Sequence, residues 1–136
     1  MKEAAVLLLG LFLGGAGYIA TNFWFLPLLR YIQLRHDITY SLIFFGNAIN
    51  PENVCDMLKR RYEERIETNR RHAAEIAACY YRLPFWYRFY LRVVCENPIT
   101  ASKNLIGLSN CSNDSNAGVH IENIKRSLRI SKTLDV

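Results

Sequence analysis

The fold is decided by residues 4–29, AAVLLLGLFLGGAGYIATNFWFLPLL, which contain no charged side chain. Lys2 and Glu3 come before this run, and Arg30 is the first charged residue after it. A helix of about 20 apolar residues crosses the hydrocarbon core of a bilayer. The run therefore predicts a transmembrane helix over residues 1–29.

A cleaved signal sequence is the alternative interpretation, with Gly15 and Gly17 as the small residues before a cleavage site. The apolar run continues past Gly17 through Ile19, Phe23 and Trp24, so that cleavage there would leave a hydrophobic end. We therefore expect a retained anchor.

Basic residues predict the orientation of this anchor. Lys2 precedes the run, whereas Arg30 and Arg35 follow it and residues 59–61 add three more basic side chains. The positive-inside rule then places the C-terminal domain in the cytoplasm, on the inner membrane. The aromatic residues expected at the membrane interface on this side are Phe23, Trp24 and Phe25.

The rest of the 136-residue chain is long enough for one domain with one modest core, predicted over residues 30–131 with a tail at 132–136. The net charge of +5 is a mild basic excess. Membrane lipids with anionic headgroups are the expected partners of basic residues tethered near a bilayer. Nucleic acid is a second partner that such a charge allows.

Four cysteines, Cys55, Cys79, Cys95 and Cys111, form no Cys-x-x-Cys pair and have no zinc-site spacing with the histidines. They are sufficient for two disulfides in an oxidising compartment, whereas in the cytosol they would remain thiols, which we favour. We expect no metal site and no cofactor.

Apolar residues continue beyond the membrane at steps of three or four, the period of one helical face. The members of this first stripe are Tyr31, Leu34, Ile38, Leu42, Phe45 and Ile49. Pro27 interrupts the helix and should kink or divide it at the membrane exit.

A second stripe predicts a long amphipathic helix that Pro84 ends. Its members are Val54, Leu58, Tyr62, Ile66, Asn69, Ala73, Ile76 and Tyr80. Further helices are expected over residues 85–94, 97–110 and 119–131, with a polar loop at 110–118. The fold class predicted is all-α, a transmembrane helix that continues into a cytoplasmic bundle of about four or five helices.

The segment 85–94, FWYRFYLRVV, is dense in aromatic residues and too short to cross a bilayer. One interpretation is a helix at the membrane interface, with Trp86 in the bilayer surface and Arg88 and Arg92 on lipid headgroups. The other is a short core helix capped by the two arginines.

Three glycines, Gly10, Gly14 and Gly17, share one face of the predicted span. Small residues at this spacing let transmembrane helices approach closely, which favours a homo-oligomer, although a span can also merely tolerate glycine. A ring of such helices would line an apolar pore that is prone to dewetting.

Arg65, Asn69 and His72 share one face of the second helix. Histidine moves protons near neutral pH and arginine stabilises phosphate charge, so the three are candidate catalytic residues for metal-independent RNA cleavage. Their spacing, in RIETNRRH, is similar to the Arg–His pattern of HEPN-type ribonucleases. The structural alternative is a polar break in a core stripe, with Asn69 bonding across the bundle.

Four stretches carry a resemblance over most of residues 20–130. They are LLRYIQLRHDITYSLIFFGNAI, RRYEERIETNRRHAAEIAACYYRLPFWYR, ASKNLIGLSN and ENIKRSLRI. Together they resemble small bacterial single-pass membrane proteins with a helical, HEPN-like cytoplasmic domain, and the layout is similar to a CRISPR-associated membrane pore protein that supports antiphage defence.

The uncharged, glycine-containing span, its helical continuation and the aromatic segment 85–94 predict a homo-oligomeric inner-membrane effector that perturbs or permeabilises the membrane, and the resemblance implies a role in antiphage defence. The alternatives are a membrane-tethered HEPN-like ribonuclease, and a scaffold or subunit that docks a protein partner on the charged face of its second helix.

Overall fold

The computed structural model describes residues 2–46, 56–111 and 114–130, and these residues are almost entirely helical. The elements are α1 (Lys2–Ala20), a π-helical turn (Thr21–Phe25), α2 (Leu26–Phe44), α3 (Asp56–Arg82), α4 (Phe85–Val93), α5 (Pro98–Asn110) and α6 (Asp114–Ser127). The predicted all-α fold, a long apolar N-terminal helix followed by a helical bundle, is confirmed. Ile49, Val54, Cys55 and the predicted tail at 132–136 lie outside the described residues.

The chain passes from α1 into α2 without a break, so that one helix runs from Lys2 to Phe44, and its 36-residue part from Leu9 to Phe44 contains the candidate membrane span. Pro27 lies in the first turn of α2, directly after the π turn. There the Leu26 N–H donates to the carbonyl of Thr21, five residues back, which widens the helix just before the proline. The interruption expected at Pro27 is therefore a π turn inside a continuous helix.

The core lies around α3, which packs against α2 on one side and α5 on the other, while α6 packs on α5. On α2, Tyr31, Leu34 and Ile38 are fully buried, as the first stripe predicts. α5 contributes Ala101, Leu105 and Leu108 to the same core. The bundle is therefore a row of neighbouring helices whose shared interior begins one turn after Pro27.

The buried face of α3 is rotated from the predicted stripe. Asn69, Ala73 and Ile76 are buried as expected, but the predicted members Tyr62, Ile66 and Tyr80 are only half-buried. The other core positions of α3, outside the predicted stripe, are Arg65, His72 and Cys79. Because α2 and α5 together cover a wide face of α3, burial extends past the predicted stripe onto these three positions.

The predicted polar loop at 110–118 is wrong for its second half. α6 begins at Asp114 and ends at Ser127, so it starts and stops earlier than the expected helix at 119–131. Ala117 is fully buried, as are Ile124 and Leu128. A buried small residue in a polar stretch gives the helix one more turn of core contact, which the composition of that stretch does not indicate.

Helices α4 and α6 are each followed, two residues after their last residue, by a residue with left-handed backbone conformation. These residues are Cys95 (φ 56°) and Arg129 (φ 48°). The two ends meet: the Arg129 guanidinium donates to the carbonyl of Val94 at 2.9 Å, and the Asn97 N–H donates to the carbonyl of Ser127 at 2.8 Å. These bonds satisfy carbonyls that a helix C-terminus otherwise leaves without partners.

Candidate functional sites: the apolar end of the molecule and a buried polar cluster

From Val6 to Ile19, the side chains of α1 are exposed on every side of the helix wherever the structure describes them. They include Leu9, Leu11, Phe12, Leu13 and Ile19. Soluble monomers rarely expose apolar patches larger than a few hundred square ångströms. The helix is long and apolar enough to cross a membrane.

Short polar side chains inside the apolar run satisfy their own hydrogen bonds. The Thr21 hydroxyl donates to the carbonyl of Gly17 and the Asn22 amide donates to the carbonyl of Tyr18, both at 2.9 Å. Such bonds to the preceding turn lower the cost of placing a polar group in hydrocarbon. The three aromatic residues that follow, Phe23, Trp24 and Phe25, are exposed.

The three glycines predicted to pack helices border open space. A Cβ atom built on Gly10, Gly14 or Gly17 would meet no other side chain or distant backbone within 4 Å. Among the residues that the structure describes, no element therefore covers this face of α1.

Helix α4 presents one apolar face to solvent. Phe85 is 80% exposed, Phe89 68% and Val93 65%, and their spacing of four residues places them on one side of the helix. Trp86 lies beside them and is 44% exposed, while Leu91 on the opposite side is buried in the core. This arrangement contains features of both earlier interpretations, since one face of the helix is in the core and the other is uncovered.

The two arginines of α4 differ in their surroundings. Arg92 is exposed and Arg88 is half-buried. The helix lies near the start of α2, because the Tyr87 ring meets the Tyr31 ring edge-to-face with 6.1 Å between centroids. The exposed apolar face of α4 is thus held one helical turn beyond Pro27.

A groove opens between the π turn and the start of α2 on one side and the end of α3 on the other. Its volume is about 440 Å³. The residues that line this groove, called the exit groove below, are Asn22, Phe23, Leu26, Pro27, Arg30, Cys79 and Arg82. Arg30 also pairs with Glu75 of α3 at 2.8 Å, which joins the two walls. Burial raises the pKa of the Cys79 thiol, with smaller opposing effects from the two arginines.

The candidate catalytic residues Arg65, Asn69 and His72 do lie on one face of α3, and that face is buried. Arg65 and Asn69 are 2% exposed and His72 is 7% exposed. Arg65 donates to the carbonyl of Cys111 at 3.1 Å and stacks over the Tyr62 ring. Within the described part of the chain, the Arg65 Nε and Nη1 atoms and the Asn69 amide nitrogen form no hydrogen bond.

Arg65 and His72 open onto different spaces. Arg65 and Asn69 border a cavity of about 10 Å³, with about the room of one water molecule. His72 instead lines a more open pocket of about 410 Å³ together with Asp37 and Arg71. Its Nδ1 is 3.3 Å from the Ser41 hydroxyl, which also borders both spaces.

Burial sets the charge state of this cluster. Desolvation lowers the pKa of His72, the nearby Arg71 lowers it further, and Glu75 and Asp37 oppose the shift. Desolvation also lowers the pKa of Arg65. A neutral His72 imidazole with a hydroxyl partner can accept a proton. Arg65, however, is bonded to a backbone carbonyl and stacked on an aromatic ring. Its observed contacts therefore join α3 to the connection between α5 and α6.

Several polar residues in or beside the core escaped sequence reasoning. Ser41 is buried three residues after Ile38. The helical period places both residues on one face, so this spacing could have predicted its burial. Glu96 is also buried, and its carboxylate accepts from the Tyr31 hydroxyl at 2.5 Å and pairs with Arg35 at 3.5 Å. Nothing local marks Glu96, because its partners are on α2.

Cys79, Cys95 and Cys111 are free thiols, and the described residues contain no group of three or more metal-ligating side chains. No family model, curated protein or solved structure matches this chain.

Proposed function

We propose that this chain is a homo-oligomeric effector of the inner membrane, anchored by α1 with its bundle in the cytoplasm, and that it perturbs or permeabilises the bilayer. Antiphage defence is the setting that the resemblance implies for it. The observation that carries the proposal is the exposed apolar surface of α1 and its unbroken continuation into the core of the bundle.

The continuous helix supports an active role for the anchor. Residues such as Leu34 and Ile38 are fixed in the core, and the same helix carries the apolar residues of α1. A flexible linker would uncouple the two parts, whereas a helix transmits a tilt or rotation of the bundle to the membrane segment. Assembly of bundles would therefore bring their membrane helices into a defined arrangement.

The open glycine face supports assembly through α1. The glycines at positions 10, 14 and 17 let a second helix approach the backbone of α1 closely, and nothing in the described part of the chain covers that face. Helices that meet along such a face form compact bundles. An uncharged bundle of this kind would thin or permeabilise the bilayer rather than select ions by charge.

The basic side of the span and α4 support the orientation. Arg30 and Arg35 follow the apolar run, in agreement with a cytoplasmic bundle. The exposed face of α4, held beside the start of α2, fits a helix that rests on the same membrane surface.

Cross-linking in membranes tests the proposal. The wild-type chain should give oligomers and release a trapped dye from liposomes, and the double variant Gly10→Leu, Gly14→Leu should lose both. The matched control, Gly15→Leu with Ala16→Leu, adds side-chain volume away from that face and should retain both. A strict monomer, or unchanged assembly in the first variant, would overturn assembly through this face.

A further inference from the structure

The exit groove combines an apolar wall with cationic side chains. Phe23, Leu26 and Pro27 form the apolar part, and Arg30 and Arg82 stand on opposite walls. Its volume of about 440 Å³ is within the usual range for small-molecule sites. A ligand that matches this lining has both an apolar part and an anionic group.

The charge of the groove favours an anion. Arg30 is paired with Glu75, but its side chain keeps 54% of its surface exposed. Arg82 is exposed and forms no ion pair among the described residues. The groove is therefore lined by two guanidinium groups, of which one is paired with a carboxylate, and guanidinium groups bind phosphate oxygens through two parallel hydrogen bonds.

The position of the groove selects the source of the phosphate. One wall of the groove is the π turn, which also carries the exposed aromatic residues Trp24 and Phe25. An anchored chain would meet the headgroup layer at these aromatic residues. Only two residues separate Arg82 from Phe85, the start of the exposed face of α4. The groove, the aromatic residues and α4 would thus contact one lipid surface.

We infer that the exit groove binds the phosphate headgroup of an anionic phospholipid between Arg30 and Arg82, with the start of an acyl chain against Phe23 and Leu26. This inference rests on the membrane anchoring proposed above. The bound lipid would bridge α2 and α3 at the point where the membrane helix enters the bundle, so membrane composition would bias how the two helices are held.

The test uses the full-length chain reconstituted in vesicles that contain phosphatidylcholine and phosphatidylglycerol, then transferred to detergent and weighed by native mass spectrometry. The wild type should retain one phosphatidylglycerol per chain in preference to phosphatidylcholine. Arg82→Gln should retain it about tenfold less, the effect of losing one charge-assisted contact. Glu75→Gln, which frees Arg30, should retain it more strongly.

Arg60→Gln is the matched control, since it removes an exposed arginine of α3 outside the groove. It should retain as much lipid as the wild type. Inorganic phosphate added to the detergent solution should not displace the lipid, because it lacks the apolar part. Displacement by phosphate alone would show a simple anion site and overturn the inference.

Alkaline carbonate extraction of the same vesicles separates the two proposals. A chain that is extracted overturns both the anchoring and the groove. A chain that stays in the membrane but retains the two lipids alike, or whose Arg82→Gln and Arg60→Gln variants behave alike, overturns the groove and leaves the anchoring intact.

Discussion

Gly107 on α5 lies directly against the His120 side chain of α6. A Cβ atom at this position would lie 2.5 Å from the His120 ring of α6, and that ring is held at 3.0 Å from the Asn104 side chain. The ring therefore moves only at the cost of its hydrogen bond. The sequence places Gly107 in a helix, where glycine is ordinarily unfavourable, and the neighbouring helix supplies the reason for it.

Replacing Gly107 by alanine should lower the free energy of unfolding by about 1–3 kcal/mol, because the added methyl group would overpack the contact with His120. Thermal or denaturant unfolding in detergent measures the change. Gly118→Ala is the control: its Cβ would meet nothing within 4 Å, so this change should stabilise by about 0.5–1 kcal/mol. If Gly107→Ala were as stable as Gly118→Ala, the close contact with His120 would be disproved.

The buried imidazole of His72 makes stability depend on pH. Its pKa is lowered in the folded protein, while the unfolded chain has the ordinary value near 6.5. Below pH 6.5 the unfolded chain binds a proton at His72 that the folded protein does not bind. The contribution of His72 to the free energy of unfolding is therefore fully present above pH 6.5 and is lost as the pH falls below this value. The free energy of unfolding should therefore decrease from pH 7 to pH 5.

Comparing variants isolates this contribution. His72→Asn should have a shallower dependence of unfolding free energy on pH, whereas His36→Asn, at an exposed position, should keep the wild-type slope. Identical slopes for His72→Asn and the wild type would show that His72 is protonated equally in both states. The ribonuclease hypothesis stays a prediction, and RNA incubation with wild-type and His72→Ala protein tests it.

At the scale of elements, α4 packs one face on the core and leaves its other, apolar face exposed. Its apolar face is uncovered, and its placement depends on Leu91 in the core and on the Tyr87–Tyr31 contact. A bilayer surface would cover that face. A pair of changes on the exposed face therefore separates membrane contact from folding.

In a Trp24→Phe background, fluorescence of Trp86 in liposomes with brominated lipids should be quenched. The double variant Phe85→Ser, Phe89→Ser should show weaker quenching, because it removes apolar area from the face without touching Leu91. Val119→Ser, at an exposed position of α6, is the control and should leave quenching unchanged. Unquenched Trp86 in the starting protein would place α4 away from the bilayer.

At the scale of the whole molecule, a buried polar contact joins α2 to the connection between α4 and α5. The Tyr31 hydroxyl donates to Glu96, which lies 65 positions later in the turn between α4 and α5. Arg35 supports the same carboxylate at 3.5 Å. This contact fixes the direction in which α2 enters the bundle.

Tyr31→Phe should reduce the free energy of unfolding by about 1–3 kcal/mol, since it leaves a buried carboxylate oxygen without its donor. Thermal unfolding in detergent measures the loss. Tyr40→Phe removes the same hydroxyl from an exposed site and should have no measurable effect. Equal stability of the two variants would mean that the Tyr31 hydroxyl contributes nothing to the bundle.

Local patterns determined much of this molecule. The charge-free run at 4–29 predicts α1, and the steps of three and four from Tyr31 to Phe45 predict the buried face of α2, because helical period and hydropathy depend only on neighbours in sequence. The prolines at 84 and 98 mark helix boundaries for the same reason. The orientation and the assembly state are likewise predictions from local charge and glycine spacing.

The tertiary structure alone decided which residues meet across the bundle. Burial of Arg65 and His72, and half-burial of Tyr62 and Ile66, follow from where α2 and α5 pack on α3, which the pattern of α3 by itself does not contain. The exit groove joins residues of α2 to residues of α3 some 50 positions later in the chain. Such contacts depend on the packing of whole helices, so the sequence determined the helices and the tertiary structure determined the sites between them.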